Sequence, residues 1–86
     1  MGKLNSIFNN KTVLITGGTG SFGNAFVSRT LRSSKPKKLI IFSRDELKQF
    51  EMSKIYNASN LRFFLGDVRD YNRLLQAFRG VDIVVH

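Results

Sequence analysis

The residues best suited to chemistry are three glycines spaced by three, in the run Thr16-Gly17-Gly18-Thr19-Gly20-Ser21-Phe22-Gly23. Gly17, Gly20 and Gly23 follow a short apolar run and precede a helical pattern, which is the setting of the phosphate-binding turn of a dinucleotide site. Gly17 would let the chain turn sharply. Gly20 would let the backbone approach a pyrophosphate, and Gly23 would let the helix pack closely on the sheet. The helix start then offers free N–H groups and the positive end of its dipole to phosphate. Thr19, Ser21 and Phe22 stand in or beside the turn, where hydroxyl or backbone N–H groups can reach the same oxygens. No Lys-Ser or Lys-Thr follows the glycines, so the run is not a Walker loop.

About 20 residues further on, an Asp or Glu would accept from the ribose 2′-hydroxyl of NAD and repel the 2′-phosphate of NADP. Here the position holds Ser43 and Arg44, with Lys48 one turn into the next helix. A hydroxyl and a guanidinium suit a phosphate, so NADP is the expected cofactor and NAD the alternative. Asp45 is the contrary sign, because it could serve a ribose hydroxyl if the strand ends later. Asp67-Val68 follows another apolar run. A carboxylate there can accept from the adenine amino group while the next N–H donates to the ring, or it can simply cap the following turn.

The elements that must position these groups alternate as strand and helix, the signature of parallel βαβ units. Thr12–Thr16 reads as a strand buried on both faces. Ser21–Arg32 reads as a helix with Phe22, Ala25, Phe26 and Leu31 inward. Pro36 stops it, and Lys38–Phe42 is the second strand. A helix begins near Asp45, with Ser43 and Glu46 at capping-box spacing and Leu47, Phe50 and Ile55 as its apolar face. Leu61–Leu65 is the third strand. Asp70 caps a helix with Tyr71, Leu74, Leu75 and Phe78 on one face and Gly80 at its end, and Val81–Val85 is the fourth strand. The fold class expected is α/β, the N-terminal half of a Rossmann doubly wound parallel sheet in strand order 3-2-1-4. The sequence reads as a partial NAD(P)-binding domain over residues 1–86, truncated after strand four, with an exposed apolar edge there and no substrate domain.

Composition narrows the classes. At 86 residues this is at most one domain, and 42% apolar content with eight Phe marks a folding sequence. Cysteine is absent and His occurs once, which removes disulfides, thiolate metal sites and a catalytic zinc centre. No apolar stretch approaches the roughly 20 residues of a membrane span, and Met1–Asn10 lacks the apolar core of a signal peptide. A cytoplasmic protein with no membrane partner is expected. Met1–Ser6 fits a loose myristoylation pattern, and Asn10-Lys11-Thr12 and Asn57-Ala58-Ser59 fit the glycosylation sequon, but such short patterns recur by chance. The net charge of +8 is scattered apart from Lys35-Pro36-Lys37-Lys38, and most aromatics occupy core-like positions, so no nucleic-acid partner is expected.

The Gly17-x-x-Gly20-x-x-Gly23 spacing resembles the extended branch of the short-chain dehydrogenase/reductase superfamily. Together with Ser43-Arg44-Asp45-Glu46-Leu47-Lys48-Gln49, Arg62-Phe63-Phe64-Leu65-Gly66-Asp67-Val68-Arg69-Asp70 and Gly80-Val81-Asp82-Ile83-Val84-Val85-His86, it closely resembles the inverting UDP-N-acetylglucosamine 4,6-dehydratases. The resemblance implies an NADP-dependent lyase acting on a UDP-sugar in polysaccharide biosynthesis. In that family, tightly bound NADP takes hydride from C4, water leaves across C5 and C6, and hydride returns to C6 with inversion at C5. It also implies that Thr19–Phe22 serve the pyrophosphate, Ser43–Lys48 the adenosine ribose phosphate, and Asp67 with Val68 the adenine. The family's catalytic Asp, Tyr and Lys would lie beyond His86, so no residue here receives a catalytic role, and homo-oligomers are the family's habit. A sugar epimerase of the same superfamily, or a protein that binds NADP as a sensor or scaffold without turning it over, are the alternatives.

Overall fold

The computed structural model describes residues 7–86, and the Met1–Ser6 segment with its myristoylation-like pattern lies outside them. Four strands and three helices alternate: β1 (Thr12–Thr16), α1 (Ser21–Ser33), β2 (Lys38–Ser43), α2 (Glu46–Ile55), β3 (Leu61–Leu65), α3 (Tyr71–Ala77) and β4 (Ile83–Val85). The strands form one parallel sheet in the order β3-β2-β1-β4. That is the expected doubly wound arrangement, with the chain reversing its winding direction between β1 and β4.

Side chains alternate across the sheet and bury both faces. Val13, Ile15, Leu39 and Ile41 pack on one side with Val27 of α1, Met52 of α2 and Leu61. Leu14 and Phe42 pack on the other with Ala77 of α3, backed by Leu74, Phe78 and Val81. Burying each large apolar side chain here contributes about 1.5–3 kcal/mol. The two-sided core explains why β1 and β2 read as continuous apolar runs and not as alternating ones.

The helices enter the core by stripes that coincide with the expected ones in part on α1 and α3 and not at all on α2. On α1 the buried positions are Gly23, Val27 and Thr30, with Phe26 and Leu31 half-buried, while Phe22 and Ala25 face outward. On α2 the buried residues are Gln49 and Met52, and Leu47, Phe50 and Ile55 are exposed. On α3 Ala77 is buried and Leu74 and Phe78 are half-buried, whereas Tyr71 and Leu75 are exposed. In each case two stripes of the helix carry apolar residues, and the strand below selects one.

Helix ends follow local chemistry. The cap of α2 is Asp45, whose carboxylate accepts from the Lys48 N–H at 3.0 Å, and not Ser43, which completes β2. Asp70 caps α3 by accepting from the Arg73 N–H, as expected, and Gly80 at φ +71° lies just past its end. Ser34 closes α1 through its N–H and hydroxyl, both donated to the Thr30 carbonyl, two residues before Pro36. Asp82 anchors the start of β4 to β1: its N–H donates to the Thr12 carbonyl and its carboxylate accepts the Thr12 N–H. β4 therefore begins at Ile83, two residues later than the apolar run suggests. It is one of the two edge strands of the described sheet, β3 being the other, and its Val84 is exposed.

Candidate functional site

The carboxyl ends of β1, β2 and β3 carry the three segments singled out in the sequence. Thr16 runs into the glycine turn, Ser43 into Arg44 and Asp45, and Leu65 into Gly66 and Asp67. They enclose one cavity of about 520 Å³, into which Gly17 and Thr19, Ser43 with Arg44 and Asp45, and Asp67 with Val68 all open. Phe42, Gly66 and Arg69 complete its lining.

At the turn, Gly17 has φ +65°, a conformation that costs a side-chain-bearing residue energy, and its N–H donates to the Phe42 carbonyl at 2.9 Å. The close packing expected of Gly23 occurs, but against a different neighbour. A Cβ at Gly23 would overlap the backbone carbonyl of Gly18, so α1 rests on its own turn. The glycine that lies on the sheet is Gly18, where a Cβ would come within 2.8 Å of Ile41 Cγ2 and 3.0 Å of Ile15 Cγ2.

Gly20 is the N-cap of α1 and lacks a side chain that could satisfy the first helical N–H groups, those of Ser21, Phe22 and Gly23. A Cβ there would meet nothing nearer than the Gly17 carbonyl at 4.0 Å. Asn24 holds the turn in shape, its side-chain amide donating to the Thr19 and Gly20 carbonyls, both at 3.1 Å. Tyr56 donates its hydroxyl to the Asn24 carbonyl from beyond α2. Sequence reading passed over Asn24 because nothing marks it except its place four residues after Gly20.

The far end of the cavity is a cluster of charges. Arg44 donates to one oxygen of the Asp67 carboxylate at 3.3 Å. Arg69 grips the same carboxylate with a fork, Nη2 at 2.7 Å and Nε at 3.1 and 3.2 Å, and adds its backbone N–H at 2.9 Å. The Arg69 fork, then its N–H, then Arg44, hold the Asp67 carboxyl well below the usual carboxylate range, and Asp67 in turn raises Arg69. All of these groups are reachable by solvent, so the pairs add little stability. Their effect is to fix where two cations stand. Asp67 also shapes its own turn, its carbonyl accepting the Asp70 N–H. Arg69 went unnoticed in the sequence because only the fold swings it back over the residue two before it.

The remaining expected residues are placed as follows. Ser43 is buried, and its hydroxyl accepts from Gln49, whose amide also reaches the carbonyls of Ser43 and Phe64. Asp45 lines the cavity with its carboxylate occupied by the Lys48 N–H. Lys48 itself opens onto a neighbouring depression of about 240 Å³ with Thr19 and Asn24. Ser21 and Phe22 are exposed beside the turn. His86 stands at the end of β4, its Nδ1 2.6 Å from the Thr16 hydroxyl. Among the described residues no three His, Asp or Glu side chains gather as metal ligands, and no helix is long and apolar enough to cross a membrane.

The cavity reaches the turn at Gly17 and Thr19, while Gly20, Ser21, Phe22 and Gly23 stand outside its lining. With the first N–H groups of α1 beside one end and two arginines at the other, the arrangement fits an elongated ligand with phosphates at both points. Residues 13–86 match the polysaccharide biosynthesis protein family. The chain is 59% identical over 80 residues to the UDP-N-acetylglucosamine 4,6-dehydratase (inverting) of Campylobacter jejuni strain 81-176, covering 93% of this chain and 24% of that protein. It is 52% identical over 83 residues to the UDP-glucose 4-epimerase of Rickettsia typhi, again 93% of this chain and 24% of the relative. The crystal structure of Pen from Bacillus thuringiensis superposes with a TM-score of 0.83 at 40% identity, over 90% of this chain and 24% of that one. The chain thus spans about a quarter of the length of the curated relatives it matches.

Proposed function

This chain belongs to the polysaccharide biosynthesis protein family, and from that premise we propose that it is the NADP-binding part of a nucleotide-sugar 4,6-dehydratase. The observation that carries the reading is the single cavity joining the glycine turn to Arg44 and Asp67. The N–H groups at the start of α1 bind the pyrophosphate. Arg44 binds the 2′-phosphate, and the Asp67-Val68 segment orients the adenine. The chemistry a bound nicotinamide would supply is hydride transfer to and from the sugar. This chain's own part is to bind and orient; no acid or base for the elimination is assigned within it. The identity to proteins named as dehydratases supports a UDP-sugar substrate, and the absence of cysteine is in keeping with a cytoplasmic setting.

A second reading, a nucleotide-sugar 4-epimerase, is favoured by the relatives bearing that name. The two separate by product. Incubated with UDP-N-acetylglucosamine and NADP, a full-length protein that carries this chain should form a 4-keto-6-deoxy sugar nucleotide, seen by mass as the loss of water, whereas residues 1–86 alone should form none. Interconversion of the C4 epimers without loss of water would replace the dehydratase reading by the epimerase one. Neither product, with no binding of NADP or NAD, would remove both.

A further inference from the structure

We infer that Arg69 sets the preference for a 2′-phosphorylated cofactor, acting as a positioning residue that neutralises Asp67 so that Arg44 presents uncancelled positive charge to the cavity. The inference rests on the dinucleotide reading above and goes beyond it by assigning a role to a residue outside the glycine turn and the Ser43–Lys48 segment.

The site holds a conflict of charge. Asp67 lines the same cavity as Arg44 and touches it at 3.3 Å. A carboxylate so placed would pair with the guanidinium, leaving a neutral couple that attracts no phosphate, and would itself repel a dianion. Arg69 removes both effects. Its fork engages both oxygens of Asp67 at 2.7–3.2 Å, shorter and more numerous contacts than the one Arg44 makes. One carboxylate between two guanidiniums leaves that trio with a net positive charge, while Asp45, the other acid lining the cavity, turns its carboxylate to the Lys48 N–H. The bidentate hold on Asp67 also fixes the direction of the exposed Arg69 guanidinium.

Three other features carry less. The exposed apolar residues of α2 have no visible occupant. The basic Lys35–Lys38 segment lies at the amino end of β2, away from the cavity at the carboxyl ends. The Thr16–His86 contact stands on one exposed hydrogen bond.

The test measures dissociation constants of NADP and NAD by calorimetry, at low and high salt, for the protein and for its Arg69→Gln and Arg69→Lys variants. Arg69 is exposed on the surface, so both variants should fold, and thermal melts check it. The unaltered protein should prefer NADP. Arg69→Gln should weaken NADP about tenfold, the loss of one charge-assisted interaction, and flatten its salt dependence, while NAD stays within about twofold. Arg69→Lys, which keeps the charge, should keep most of the preference. Parallel losses for both cofactors, no change in either, or Arg69→Lys falling as far as Arg69→Gln would each overturn the inference while leaving the dinucleotide reading intact. Failure of the unaltered protein to bind either cofactor, or a preference for NAD, would overturn that reading first and this inference with it.

Discussion

Gly23 and Gly20 are three residues apart in one turn, yet a methyl group added to each should have opposite consequences. In Gly23→Ala the new Cβ would overlap the carbonyl group and Cα of Gly18, all backbone atoms that cannot step aside by changing rotamer. Gly18 cannot yield toward the sheet either, because it already lies against the side chains of Ile41 and Ile15. Either α1 must lift from the turn or the turn must deform. Overpacking costs about 1–3 kcal/mol, and with only backbone available to move the loss should sit near 3 kcal/mol.

In Gly20→Ala the Cβ enters open space, 4.0 Å from the nearest atom, at φ −80°, which any residue adopts. The stability change should be about 0.5 kcal/mol, from the poorer helix cap. The methyl would nevertheless stand where the pyrophosphate approaches, so NADP affinity should fall at least about tenfold, or about 1.4 kcal/mol. Urea unfolding, with slopes compared to verify two-state behaviour, measures the first quantity, and calorimetric titration of NADP the second. A Gly23→Ala protein as stable as the parent would refute the packing argument. Unchanged NADP affinity in Gly20→Ala would mean that the turn serves only to redirect the chain.

Arg44→Ala should weaken NADP roughly ten- to a hundredfold with NAD little changed, since a hydrogen bond to a charged group contributes about 1.5–3 kcal/mol; equal losses for both cofactors in paired titrations would sink the phosphate assignment. Asp45→Ala should cost about 1 kcal/mol of stability through the lost α2 cap and leave NADP binding nearly intact, and selective weakening of NAD would instead restore Asp45 as a ribose ligand. Gln49→Leu should destabilise by about 1–3 kcal/mol in urea, because the Ser43 hydroxyl and the Phe64 carbonyl lose a buried donor. The Asp67 carboxyl is lowered in the folded state from its ordinary 3.8, so its stabilising pairs are fully present above that value and fade as pH falls through the lower folded one. The stability difference between the protein and Asp67→Asn should therefore be flat from neutral pH down to about 5 and shrink only in strong acid. A change near pH 6–7 would show that Asp67 is not held as described.

The sequence by itself determined the order of elements and the place of the turn. Thr12–Thr16 and Lys38–Ser43 carry apolar runs without alternation because both faces of the sheet are covered, as in a parallel sheet flanked by helices. Gly17 was legible because a positive φ leaves a residue-type signature, and Asp70 because an N-cap does. What tertiary structure alone decided was which of two apolar stripes each helix turns inward. Val27 and Met52 won over Phe22 and Leu47 because they stand above the strands, a phase that helical spacing alone does not carry.

Tertiary structure likewise decided which neighbour each glycine needs, since Gly23 meets Gly18 only once the turn has closed. It also brought Arg44, Asp67 and Arg69 together from the ends of two strands. Arg44 reaches Asp67, 23 residues away in sequence, because parallel pairing sets the ends of β2 and β3 side by side, with Ser43 in register with Leu65. Charge clusters of that kind are properties of register, and register is fixed by the packed sheet.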